Sequence, residues 1–229
     1  MYESLLKLPY FQGMSKNELT QILDKVKFEF IKIAEGQTFV RQGDSCNRFI
    51  VLLQGEVYAE YTSANGSYRL TELLTPSHAI EPYSMFGAST NYRRSYIAKS
   101  DSNILAIDKK FFYSDFMQYN IFTINLLNLI SHKAQQQSRI AFYDSPQSIE
   151  GRIARFMALR CETLTGSKRL TIKMEQLAAQ LSETRMNISR ALNNMQQKGL
   201  MELSRKEISI PSFNKLLSEE WSIVMQPEK

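Results

Sequence analysis

The chain has 229 residues, of which 43% are hydrophobic and 22% charged, the mix of a folded globular protein and not of a disordered or fibrous one. No apolar run reaches the roughly 18 residues of a membrane span. Two cysteines, Cys46 and Cys161, and two histidines, His78 and His132, rule out a disulfide scaffold, a zinc ribbon and a four-cysteine iron–sulfur site within one chain, so no metal site is expected. The net charge of +5 hints at a polyanionic partner, and its distribution says more. Eight basic residues face three acidic ones between Lys168 and Lys206, and the rest of the chain is neutral. The start, Met1-Tyr2-Glu3-Ser4, lacks the basic-then-apolar pattern of a signal peptide, so a cytoplasmic location is expected.

A helix is predicted near residues 15–26. Ser15 and Glu18 have capping-box spacing, and Leu19, Ile22, Leu23 and Val26 share one face. Short β-branched and aromatic runs follow at residues 37–41, 49–53, 57–61, 69–74 and 103–108. Gly36, Gly43-Asp44, Gly55 and Asn65-Gly66 punctuate them, and Asn65-Gly66 between two runs signals a hairpin. Regular short strands with glycine turns suggest a barrel, roll or sandwich.

Residues 110–143 contain no glycine or proline and read as helical. Ile124, Leu127, Ser131, Ala134, Ser138 and Ala141 recur in steps of three and four, which keeps them on one side of a long helix. A second stripe, including Phe122, Leu126 and Ile130, faces the β-rich part. A helix with two stripes to cover suggests a dimer seam, the alternative being a helix packed within its own chain. Asp144-Ser145-Pro146 ends this helix and opens the next, with Ser145 as cap and Pro146 in the first turn. Ile149, Ile153, Phe156, Met157 and Leu164 form its apolar face.

Residues 173–199 carry the functional signal. A short helix at 174–181 buries Leu177, Ala178 and Leu181, and Ser182-Glu183 turns the chain. Thr184 then caps a second helix, 185–198, with Ile188, Leu192 and Met195 inward and Gly199 as its stop. Arg185, Met186, Asn187, Ser189 and Arg190 cluster outward in the first turn and a half. A helix entering the major groove reads bases with such N-terminal residues; Arg matches guanine O6 and N7, Asn matches adenine N6 and N7. The helix N-terminus and Thr184 suit phosphate contacts. Residues 200–203 and 208–211 form a hairpin whose turn carries Arg205 and Lys206, a basic wing. No Ser-His-Asp order, Walker loop or metal cluster points to catalysis, so no catalytic residue and no enzyme is expected.

In this order the motifs resemble the Crp/Fnr family of bacterial transcription regulators, from about Phe11 to Leu217. Gly36-Gln37-Thr38-Phe39, Arg41-Gln42-Gly43-Asp44 and the run from Phe49 to Val57 resemble the cyclic-nucleotide-binding β roll. Ile140-Ala141-Phe142-Tyr143-Asp144 and Gly151-Arg152-Ile153-Ala154 resemble the hinge to the DNA-binding domain. Leu177-Ala178, Thr184-Arg185, Ile188-Ser189-Arg190, Leu192 and Gly199-Leu200 resemble the winged helix-turn-helix. The resemblance implies an α+β chain with a β-roll sensor domain at 1–109, a dimerisation helix at 110–145 and a winged helix-turn-helix DNA-binding domain at 146–229. It implies a homodimer on a pseudo-palindromic double-stranded operator, RNA polymerase as a further partner, and no membrane. The alternative is a nucleotide- or haem-sensing module whose DNA binding depends on its effector.

Departures from the family concern the effector. Members that bind cAMP hold ribose with the Glu of a Gly-Glu pair and phosphate with the Arg of an Arg-Ser-Ala run. Here Glu81-Pro82 replaces Gly-Glu, and Arg93-Arg94-Ser95 is followed by Tyr96. Proline donates no N–H, and a carboxylate repels phosphate. Lys133-Ala134 stands where the adenine-binding Thr-Ser pair falls. Glu81, Arg93, Arg94, Ser95, Lys133 and Ala134 line the expected pocket, yet cAMP is not expected there. Haem would need His78, in a loop near the pocket, and is not expected either; a redox role for Cys46 is equally disfavoured. Thus no cofactor is predicted. Met186 stands where members often carry Glu, so base preference should differ, and Ser182 in place of the usual glycine asks for a different turn geometry.

Overall fold

A computed structural model describes residues 5–142 and 145–222. The first four residues, and Tyr143 and Asp144 of the hinge motif and helix end, lie outside them. The chain forms two compact units. One takes the residues up to Val57 together with Leu74–Gln135; the other takes Tyr58–Leu73 and the residues from Gln136 on. A hairpin from within the first 109 residues thus belongs to the second unit.

The first unit opens with helix α1 (Lys16–Lys25). Ser15 Oγ accepts from the Glu18 N–H, and the Glu18 carboxylate accepts from the Ser15 N–H, the predicted box. Leu19 and Ile22 are buried beneath it. Strands β1 (Glu29–Ile33), β2 (Thr38–Val40), β3 (Arg48–Gln54), β4 (Val57–Thr62), β5 (Tyr68–Leu74), β6 (His78–Ala79), β7 (Ser95–Ala98) and β8 (Ser102–Asp108) follow. The five predicted strands are all present; β1, β6 and β7 are additional. Within this unit one antiparallel sheet has the order β1-β8-β3-β6, and β2 pairs with β7. Gly55, between β3 and β4, has φ +90, and an added Cβ would lie 2.3 Å from Ser102 Oγ and 2.6 Å from the Asp101 carbonyl. Only glycine meets both constraints.

The single helix expected from residue 110 is interrupted. α2 (Lys109–Ser114) is capped by Asp108, a short 3-10 turn spans Phe116–Gln118, and the long helix α3 is Asn120–Phe142. The cause lies in the core. At about 100° per residue, Phe116 and Phe122 would stand about 120° apart on a continuous helix. The break brings both rings together, centroids 4.8 Å apart, against Phe112 and Phe49. Phe122 and Leu126 are buried as expected of the second stripe. The other stripe is exposed along its length in the single chain, with Ile124 at 56% and Leu127 at 54%.

In the second unit, α4 runs Ile149–Ala158 and is capped by Ser148, whose Oγ accepts from the Gly151 N–H at 3.1 Å. Ser145 and Pro146 therefore precede the helix instead of opening it. Pro146 lies against Gly151, where an added Cβ would meet it at 2.5 Å, so the proline sits beside the first turn and not in it. Leu164 is buried but lies beyond this helix. Then come β9 (Lys168–Ile172), α5 (Met174–Leu181), α6 (Arg185–Gln197), β10 (Glu202–Ser204), β11 (Glu207–Ile210) and α7 (Phe213–Glu220). β9 and α7 were not foreseen. β10 and β11 form the wing, and β11 also pairs with β9.

The other edge of β9 pairs with β5, from Tyr68 opposite Ile172 to Glu72 opposite Lys168. Tyr68 and Leu70 thereby enter the core of Ile153, Phe156, Leu177, Leu192 and Leu217. At the end of the register sits a buried ion pair, Lys168 Nζ to Glu72 Oε2 at 2.8 Å, both side chains no more than 1% exposed. The Glu72 carboxylate also accepts from the backbone N–H groups of Glu162 and Thr163, and Lys168 donates to Thr163 Oγ1 at 2.8 Å. A buried charge deprived of its partner costs about 3–5 kcal/mol. Lys168→Met should lower unfolding free energy by about that much in urea titrations, and adding Glu72→Gln, which still accepts from the backbone, should recover most of it. A neutral single variant would contradict this role for the pair.

Candidate nucleic-acid interface

α5 and α6 make a helix–turn–helix. Leu177, Ala178, Leu181, Ile188, Leu192 and Met195 are buried between and beneath them. The turn is made by Ser182, whose N–H donates to the Ala178 and Ala179 carbonyls and which adopts φ 51, ψ 47. Serine here takes the left-handed conformation that glycine takes freely, at about 1–2 kcal/mol.

Thr184 caps α6, its side chain accepting from the Asn187 N–H at 3.1 Å. Thr184, Arg185, Met186 and Arg190 are exposed, Asn187 and Ser189 half-buried, and all six lie in the cap and first six residues of the helix. Arg185 Nη1 lies 3.3 Å from Glu175, with both side chains mostly in solvent, 70% and 63% exposed. Such a surface pair contributes little, so Arg185 can exchange Glu175 for another anion at small cost. Arg205 and Lys206 form the exposed two-residue turn between β10 and β11. Lys206 is left-handed, φ 63, and its carbonyl accepts from the Ile172 N–H at 2.9 Å, which ties the wing tip to β9. Arg185, Lys173 and Lys206 line one cleft between the helix pair and the wing.

Two residues that the sequence placed only in a turn and in the hinge motif, Glu183 and Arg152, organise this surface. Glu183 Oε2 accepts from Asn187 Nδ2 at 3.2 Å, and Glu183 Oε1 accepts from Arg152 Nη1 at 2.7 Å. Arg152 Nη2 donates in turn to the Leu181 carbonyl. The Asn187 amide first, then Arg152, hold the Glu183 carboxyl below its ordinary range. The carboxylate therefore keeps its charge until pH falls through that lowered value. The four-residue spacing of Glu183 and Asn187 was a visible signal; Arg152, 31 residues upstream, gave none.

The residues of the expected effector pocket fall into separate groups. Glu81 is fully buried and left-handed, φ 39, ψ 55. Its carboxylate accepts from Ser84 Oγ at 2.8 Å, the Arg93 N–H at 2.7 Å and Tyr96 Oη at 3.0 Å, and lies 3.7 Å from the buried Arg94 guanidinium. Arg94 also donates to Tyr83 Oη at 3.3 Å. The Arg93 side chain is exposed, Ser95 Oγ accepts from the Gln42 N–H at 3.0 Å, and Lys133 and Ala134 lie on α3, half-buried and exposed. His78 belongs to strand β6, paired opposite Leu52 of β3, and not to a loop. Cys46 is buried, and burial raises its pKa, which disfavours the thiolate.

Comparison with known proteins agrees with this geometry. Residues 30–119 match the cyclic nucleotide-binding domain and residues 151–219 the Crp-like helix-turn-helix domain. The chain belongs to the Crp/Fnr family. It is a DNA-binding transcription regulator joining a cyclic-nucleotide-binding-like β roll to a winged helix-turn-helix. Among solved structures it is similar to the sensor domain of the transcriptional regulator DNR from Pseudomonas aeruginosa, at 18% identity and TM-score 0.50, covering 60% of this chain and 95% of that one. It is also similar to the catabolite activator protein of Thermus thermophilus, at 19% identity and TM-score 0.49, covering 94% and 99%. A second regulator of Thermus thermophilus, of the Crp/Fnr family, is 17% identical with TM-score 0.45, covering 87% and 100%. No curated protein matches the sequence. Among the described residues no helix is long and apolar enough to cross a membrane.

Since Ser182 carries left-handed strain on an exposed turn, Ser182→Gly should raise stability by about 0.5–1 kcal/mol and leave DNA affinity unchanged. Urea unfolding checks the first and a gel shift the second; a loss of stability would show that the serine side chain stabilises the turn.

Proposed function

We propose that the protein works as a homodimer that places two copies of α6 in successive major grooves of a pseudo-palindromic operator. The observation that carries this is the cluster of Arg185, Met186, Asn187, Ser189 and Arg190 on the exposed start of a capped helix beside a basic wing. Arg185 and Arg190 suit guanine edges, Asn187 suits adenine, and Thr184, Arg205 and Lys206 suit phosphates. The exposed stripe of Ile124, Leu127, Ser131, Ala134, Ser138 and Ala141 on α3 supports the dimer: two large apolar groups followed by small ones let a second copy of the helix approach closely. Recognition helices related by a two-fold axis would stand about 34–36 Å apart. Transcription regulation of this kind acts on RNA polymerase, the proposed protein partner. The role is that of a regulator and not of an enzyme.

The proposed effector is not a cyclic nucleotide. That ligand is implied by the family, but the residues present do not fit it. Arg94 is the one buried guanidinium in the cassette, and it already faces the buried Glu81 carboxylate. A cyclic phosphate would bring a second negative charge beside a carboxylate held by Ser84, Tyr96 and the Arg93 N–H. Haem is not proposed either; its one candidate ligand from the sequence, His78, stands half-buried in strand β6.

Full-length protein should shift a selected genomic fragment saturably, with affinity falling steeply as salt rises. Arg185→Ala and Arg190→Ala should each weaken that binding by roughly fivefold to a hundredfold; indifference to both would reject the reading. Thermal shift with cAMP and cGMP should show no change in melting temperature. A saturable micromolar response to cAMP that Arg94→Ala abolishes would reject the reading of the pocket.

A further inference from the structure

We infer that Glu183 fixes the base preference of Asn187 by dictating which end of its amide faces the DNA. The inference rests on α6 being the recognition helix. An asparagine amide has two faces of opposite meaning, an acceptor oxygen and a donor nitrogen, and a free side chain can present either. Glu183 removes that choice. A carboxylate only accepts, so the group 3.2 Å from its Oε2 must be the Asn187 nitrogen.

Glu183 is itself held. Arg152 donates from Nη1 to Oε1 at 2.7 Å, and from Nη2 to the Leu181 carbonyl at the end of α5. The guanidinium is planar and presents its donors in a fixed fork, so it fixes the carboxylate relative to the turn. Thr184 fixes the other element, the backbone from which Asn187 projects. Asn187 therefore has a set backbone and a set amide before any DNA arrives.

One amide hydrogen goes to Glu183. The other, with Oδ1, leaves a donor–acceptor edge that matches adenine, whose N7 accepts and whose N6 donates. The reverse orientation would offer a different pattern. With Met186 offering only a weakly accepting thioether at the neighbouring position, this edge supplies the adenine-reading contact of the first turn. Glu183 and Arg152 are positioning residues in this scheme; neither needs to touch the DNA.

The isosteric variant Glu183→Gln separates positioning from packing. Arg152 only donates, so the glutamine carbonyl must stay with Arg152 and its NH2 must face Asn187. Two donors cannot meet, and Asn187 must turn its oxygen inward. Sites are selected from a random duplex library with full-length wild type, Asn187→Ala, Glu183→Gln, Glu183→Ala and Arg190→Ala. Wild type should enrich adenine at one position of each half-site, and Asn187→Ala should flatten that position. Glu183→Gln should reduce the same preference by about tenfold, with the positions flattened by Arg190→Ala left intact. Glu183→Ala, which frees the amide, should weaken it too and serves if the glutamine variant does not fold. Wild-type adenine preference in either Glu183 variant overturns the inference, as does an Asn187→Ala protein that flattens no position. Failure of wild type to enrich any sequence is a distinct result and sinks the DNA-binding reading with it.

Discussion

The interface depends on one guanidinium. Arg152, on α4, donates at the same time to the Glu183 carboxylate and to the last carbonyl of α5. It thereby joins the three helices whose relative placement decides where Arg185, Asn187 and Arg190 stand. Everything in the turn agrees with that restraint: Ser182 takes a left-handed backbone, the Glu183 N–H reaches back to the Ala178 carbonyl at 2.9 Å, and Thr184 closes the start of α6. Reading a base edge demands placement to a fraction of a hydrogen-bond length. A rigid planar fork supplies it where a flexible lysine would not.

The helix pair is not sustained by its own segment alone. Strand β9 is paired on both edges, by β11 of the wing and by β5 of the hairpin at residues 58–73. Lys168, at the end of β9, is satisfied by Glu72 and Thr163, and Tyr68 and Leu70 fill the same core as Phe156 and Leu192. Arg160 stacks at 3.9 Å on Phe156 and donates to Tyr68 Oη at 2.7 Å. The chain therefore passes from one compact unit into the other after Val57, returns after Leu73 and crosses again after Gln135. A segment of the sensor sequence is thus a structural part of the DNA-binding unit.

Several local signals in the sequence hold in the structure. Ser15 with Glu18, Thr184 before an apolar-periodic run, and Gly199 at φ +67 are decided by neighbours within four residues, and each stands as read. Strands β2, β3, β4, β5 and β8 were legible from β-branched and aromatic runs between glycine turns. What escaped depends on distant partners. The break before α3 follows from three phenylalanines converging with Phe49, some 60–70 residues away. β9 looks like polar loop sequence because its buried lysine is matched by Glu72, 96 residues earlier. At Ser148, the true cap of α4, the choice over Ser145 turns on Pro146 folding against Gly151. In the sensor, the misfit of Glu81 with phosphate was legible, but not that its carboxylate answers Arg94 inside the protein.

The central claim is that two such helices act together on one face of a duplex. Hydroxyl-radical footprinting of the full-length protein on its best selected duplex tests this most directly. Two protected windows whose centres lie about 10–10.5 base pairs apart, related by the two-fold symmetry of the selected sequence, are predicted. A single window, or uniform weak protection with no symmetry, would contradict it.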